Sequence, residues 1–125
     1  MGGKILLFGF DDLPSILAVG SAMEELGIET IPVARADYGK PLAVLAGLDD
    51  PSGPVRPYAG GPLGGRMLVF CGLDSQVPTL LPALAQTGVG PECLKAVLTS
   101  HNRTWDALTL FAELQRERRA IEGKG

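Results

Sequence analysis

Ile5-Leu6-Leu7-Phe8-Gly9-Phe10-Asp11-Asp12-Leu13-Pro14-Ser15-Ile16-Leu17 joins a short, continuous apolar run to acids, a proline and a second apolar pattern. A run of that length without alternation reads as a strand buried on both faces. Asp11 or Asp12 then offers an N-cap, with Pro14 in the first turn of a helix. Leu13, Ile16, Leu17, Met23 and Leu26 recur at helical spacing, and Gly27 stands where a helix-ending glycine belongs.

The stretch returns later as Met67-Leu68-Val69-Phe70-Cys71-Gly72-Leu73-Asp74-Ser75-Gln76-Val77-Pro78-Thr79-Leu80-Leu81. Small insertions bring Phe8 onto Phe70, Gly9 onto Gly72, Asp11 onto Asp74 and Pro14 onto Pro78. Asp74 or Ser75 is the expected cap of the second copy, and Gly88 the counterpart of Gly27. Leu42, Leu45 and Leu48 match Leu108, Phe111 and Leu114 at one constant offset. Two copies indicate a duplicated unit, not a solenoid.

Each copy reads as strand, helix, strand, helix. Strands are expected near residues 4–10, 29–35, 66–71 and 93–98, and the closing helices near 40–48 and 104–121. A strand-helix-strand passage implies parallel pairing with a right-handed crossover. The expected fold is therefore α/β: two tandem, diverged β-α-β-α units, residues 1–48 and 67–125, forming one four-stranded sheet covered by helices. Between them, residues 49–66 read as a linker, because nine of those 18 residues are Gly or Pro.

At 125 residues the chain has one domain's length and buries roughly two-thirds of its unfolded surface. Its net charge of −3 gives no footprint for nucleic acid or anionic membrane, so neither is an expected partner. Arg116, Arg118, Arg119 and Lys124 crowd the end, interleaved with Glu113, Glu117 and Glu122, as on a solvated helix face. Cys71 and Cys93 lack zinc-site spacing, and no metal or cofactor is expected. No run approaches the ~20 apolar residues of a membrane span, and Asp11 and Asp12 cut short any imitation of a signal peptide. The expected location is cytoplasmic.

The densest polar cluster is Lys95-Ala96-Val97-Leu98-Thr99-Ser100-His101-Asn102-Arg103-Thr104-Trp105-Asp106. It leaves the end of a predicted strand and enters the last helix. Open α/β sheets place ligands at the carboxyl ends of strands, and a helix's first turn favours anions. Lys95, Thr99, Ser100, His101, Asn102, Arg103 and Trp105 are thus the candidate ligand- or partner-binding residues, with no catalytic residue assigned. The bland reading makes Thr104 an N-cap, Asn102 a turn former and Trp105 a core plug.

Lys95-Ala96-Val97-Leu98-Thr99, Asn102-Arg103 and Trp105, followed by Leu108, Glu113-Leu114 and a charged tail, resemble an uncharacterised bacterial family, the domain of unknown function 3783. The resemblance spans roughly residues 66–117. That family's pattern has Thr directly after the Trp, where this chain has Asp106. The resemblance implies that the segment is a signature, and it implies no activity. The opening of the chain is also similar to a phosphoacceptor receiver domain, but that fold needs five β-α units and four are counted here.

The expectation is a non-catalytic binding, adaptor or regulatory protein working through Lys95–Trp105, with an unknown protein or a small anionic ligand as partner. The alternative is a small enzyme or nucleotide-binding domain acting on an anion at the strand ends. The enzyme reading requires Asp11, Asp12, Asp37 or Asp74 to converge with His101 or Arg103.

Overall fold

The computed structural model describes residues 3–48 and 58–122. Four strands, β1 (Lys4–Phe8), β2 (Glu29–Pro32), β3 (Met67–Cys71) and β4 (Leu94–Val97), form one mixed sheet in the order β2-β1-β3-β4. The helices are α1 (Leu13–Glu24), α2 (Leu42–Leu45), α3 (Val77–Gln86) and α4 (Ala107–Glu122). β1 pairs with β2, and β3 with β4, in parallel; β1 and β3 pair antiparallel at the centre. The fold is α/β, and the elements run strand, helix, strand, helix on either side of the glycine- and proline-rich stretch.

The two central strands are buried along almost their whole length, which explains their unbroken apolar sequence. Ile5, Leu7, Leu68 and Phe70 face α1 and α3, packing on Val19, Met23, Leu80 and Leu84. Leu6, Phe8, Met67 and Val69 face the other way, towards Leu42, Tyr38, Leu110 and Phe111. Each such side chain contributes roughly 1.5–3 kcal/mol when fully buried.

These faces overturn one expected match between the two halves. Phe8 and Phe70 lie in opposite cores, so they are not equivalent. Gly9 and Gly72 both have positive φ (75° and 71°), and it is Leu7, not Phe8, that shares a core with Phe70. A one-residue slip exchanges the faces of a strand, and the phenylalanines had drawn the alignment across that slip.

Asp12 caps α1, its carboxylate accepting from the Ser15 N–H at 3.0 Å. α1 ends in a left-handed Gly27, with the Ile28 N–H returning to the Met23 carbonyl at 2.9 Å. α3 ends the same way at Gly88. Its start differs from expectation. Asp74 and Ser75 are not caps, because a turn of 3-10 helix (Asp74–Gln76) intervenes before Val77.

The closing helices also differ from their predicted bounds. α2 is confined to one turn, between Pro41 and a left-handed Gly47. α4 starts three residues later than expected, since Asp106 rather than Thr104 caps it, accepting from the Thr109 N–H at 2.8 Å. Residues 49–57 of the expected linker lie outside the described residues. Residues 58–66 carry no regular element, yet they are anchored: the Tyr58 N–H donates to the Ala36 carbonyl and Leu63 packs on the core.

Candidate functional site

The Thr99–Trp105 loop spends its polar groups on itself. The Thr99 hydroxyl accepts from the N–H groups of His101 and Asn102, both at 3.2 Å. The Asn102 amide donates to the Val97 carbonyl at 3.1 Å, and its oxygen accepts from the Thr99 N–H at 2.9 Å. Asn102 is the one buried polar residue among those described, 9% exposed. Two loop carbonyls then reach across to the first half. Trp105 accepts from the Leu42 N–H at 2.9 Å, and Arg103 accepts from the Ala43 N–H at 3.0 Å. The loop thereby supplies partners for N–H groups that α2 itself leaves unsatisfied.

The other candidates take different places. Ser100 and His101 are exposed, and the His101 ring meets Trp105 edge-on at 5.2 Å between centroids. Trp105 is partly buried against the α2/α4 core. Lys95 does not join them: its ammonium binds the Gly90 and Cys93 carbonyls (3.3 and 2.9 Å), at the opposite end of β4. At the start of α4, the Ala107 N–H donates to the Tyr38 carbonyl and Asp106 holds the Thr109 N–H.

Sheet topology sets what can converge. Because β1 and β3 are antiparallel, the carboxyl ends of β1 and β2 lie at one edge of the sheet and those of β3 and β4 at the other. Asp11 and Asp12 follow β1, whereas Asp74 and the Thr99–Trp105 loop follow β3 and β4. A strand length of roughly 13–16 Å separates these ends, at ~3.3 Å per residue. Asp11 and Asp12 are thus held at the opposite end of the sheet from His101, whereas Asp74 follows β3 at the same end as the loop.

Where β1 and β2 end, a cleft of about 510 Å³ opens, lined among others by Asp11, Arg35, Tyr38, Gly64, Gly65 and Arg66. The glycine-rich stretch forms one wall. Gly9 admits it: a Cβ there would lie 2.2 Å from the Gly65 carbonyl oxygen, and its φ of 75° is one that other residues rarely adopt. Tyr38, 4% exposed, accepts from the Gly9 N–H at 3.1 Å, so its own phenolic proton is directed elsewhere. Arg66 binds Asp12 at 2.7 Å and Ser15 at 3.2 Å, and stacks 4.6 Å from the Phe10 ring centroid. The Ser15 hydrogen bonds, with Arg66 beside them, hold the Asp12 carboxyl below its usual range. The sequence signalled Arg66 only as the end of a glycine-rich run, and gave no sign of Arg35 or Tyr38.

Cys71 and Cys93 are buried, and burial pushes both thiols up to about 11. Among the described residues no group of three or more His, Cys, Asp or Glu side chains could hold a metal ion. No described helix is long and apolar enough to cross a membrane.

Residues 66–121 match the family model described as Domain of unknown function (DUF3783). The match begins at the cleft arginine, Arg66, and takes in β3, α3, β4, the Thr99–Trp105 loop and all but the last residue of α4. No curated protein and no solved structure matches the chain. The DUF3783 stretch does not close its own sheet here, since β3 pairs along its length with β1, which lies outside the match. Where the family pattern has Thr after the Trp, Asp106 performs a task common to both residue types, capping α4.

Proposed function

We propose that this chain is a non-catalytic, regulatory binding protein whose ligand is a small molecule bearing a carboxylate or phosphate, seated in the cleft at the carboxyl ends of β1 and β2. The observation that carries the reading is that Arg35, Arg66 and Tyr38 line one cleft, Arg66 with part of its guanidinium already on Asp12 and Ser15 and Tyr38 with its phenolic proton not used on Gly9. Guanidinium groups bind carboxylates and phosphates through paired, charge-assisted hydrogen bonds. Asp11, on the same lining, would take a hydroxyl or ammonium group elsewhere on the ligand. Carboxyl ends of parallel strands are where α/β sheets hold ligands. The non-catalytic part of the reading draws support from thiols held protonated at neutral pH and from a histidine that follows β4, at the far end of the sheet. Two free, buried cysteines fit a reducing, cytoplasmic compartment.

The test is calorimetric titration with a panel of small phosphates, nucleotides and carboxylic acids. A binder should also raise the melting temperature, by roughly 2.7 kcal/mol of added stability at 100 times its dissociation constant. Arg35→Ala should abolish binding without changing the melting temperature of the free protein, because Arg35 is exposed. No binder across the panel, or undiminished binding by Arg35→Ala, overturns the reading. A second reading keeps Lys95–Trp105 as a protein-contact surface, favoured by the exposed crown of Ser100, His101 and Thr104. It predicts partner capture lost in His101→Ala.

A further inference from the structure

From Ile5 to Ala34 the chain carries Asp11, Asp12, Glu24, Glu25 and Glu29, and neither lysine nor arginine. The structure gathers part of this acidity around an apolar groove. Between α1 and β2 lies a cavity of about 450 Å³ lined by Ile16, Leu17, Gly20, Ile28, Glu24 and Glu29, among others. Leu17 is 58% exposed there, although α1 buries Val19 and Met23 on its other side. Gly20 keeps the floor open, since it adds no side chain where the helix passes Thr30. Among the described residues β2 is a sheet edge, and no further described strand pairs with it on this side.

The far end of the same chain carries the complementary features. α4 closes on Arg116, Arg118, Arg119 and Ile121, and Ile121 is 73% exposed, the most exposed large hydrophobic residue among those described. An apolar knob beside Arg118 and Arg119, with Glu117 also near it, thus stands on one surface, and an apolar groove rimmed by glutamates on another.

We infer that this protein self-associates head to tail, the Ile121 end of α4 on one copy entering the α1/β2 groove of the next. Arg118 and Arg119 then face Glu24 and Glu29. Two different surfaces meet, so the contact is heterologous and extends into chains or rings instead of stopping at a symmetric dimer. Two identical grooves would bring glutamates face to face, which disfavours groove-to-groove pairing. Exposed ion pairs at the rim make the association salt-sensitive.

Sedimentation of the full chain across concentration, at low and high salt, tests the inference. Wild type should form species beyond the dimer at low salt and shift towards monomer at high salt. Glu24→Arg with Glu29→Arg reverses the charge of the groove's rim, and Ile121→Asp removes the knob. Each variant alone should be monomeric with a circular dichroism spectrum like wild type, since all three sites are exposed. Mixed in equal amounts, they should give a one-to-one dimer and nothing larger, because one intact knob meets one intact groove. A wild type that stays monomeric at the highest concentration, variants that associate as wild type does, or a mixture that stays monomeric would each overturn it.

Discussion

Asn102 shows how a single side chain can do the work of a missing strand. Its amide binds the Val97 carbonyl and the Thr99 N–H, two groups on one side of the chain that a neighbouring parallel strand would otherwise engage through the N–H and C=O of one residue. Asn102→Ala leaves both groups without that partner, at a cost of about 1–3 kcal/mol each where water cannot reach them. The expected result is a melting temperature lowered by several degrees, read by circular dichroism. Asn102→Asp should be no better at neutral pH, since a carboxylate cannot donate to Val97 and faces its carbonyl oxygen. Asp12 gives a pH dependence. Its carboxyl titrates below the ordinary carboxylate value when folded, so its contribution is complete above that value and fades as the pH falls through the lowered one. Acid unfolding of Asp12→Asn should therefore show a shallower loss of stability below about pH 4 than wild type. The Asp12 cap was legible, because Asp-Leu-Pro-Ser is a local helix-start signal. The turn-forming role of Asn102 was legible too, but not that its bonds fall on the open edge of β4, which no local pattern reports.

At the level of elements, the strands and the first and third helices followed their apolar runs and glycine stops, and their ends moved by a few residues. The register of the repeat was the harder matter. Both candidate alignments place glycine and aspartate well, and only the two faces of the sheet distinguish Leu7 from Phe8 as the partner of Phe70. The glycine-rich wall makes a sharper prediction. Gly9→Ala forces both a left-handed φ and a 2.2 Å approach to the Gly65 carbonyl oxygen. It should destabilise by more than about 1 kcal/mol. Gly61→Ala, with nothing within 4 Å, should melt within a degree or two of wild type. Denaturant midpoints of the two variants check the contrast.

Across the whole molecule, topology decided what sequence spacing had left open. The polar loop was visible, but which strand ends share a side of the sheet depends on how β1 meets β3, and that antiparallel pairing was open in the sequence. The cleft residues Arg35, Tyr38 and Arg66 come from different segments, so no window of sequence contains them. The buried thiols report on the integrity of the entire core. Both titrate near 11 when folded, against an ordinary value of 9.0, so the fold gains nothing from them at alkaline pH. Their contribution is complete below pH 9 and should be lost as the pH rises towards 11, with stability falling there in wild type and less in Cys71→Ala. An aromatic disulfide reagent should modify neither thiol until the protein unfolds. The antiparallel junction of β1 and β3 has one more consequence. Every hydrogen bond between central strands crosses from one half of the sequence to the other, and each half alone would expose an almost wholly apolar strand along one edge. Two separate polypeptides, residues 1–48 and 58–125, should each remain unfolded or aggregate, yet recover the native spectrum when co-expressed. The molecule is in that sense a ready-made split reporter, whose signal would be the closing of its own seam.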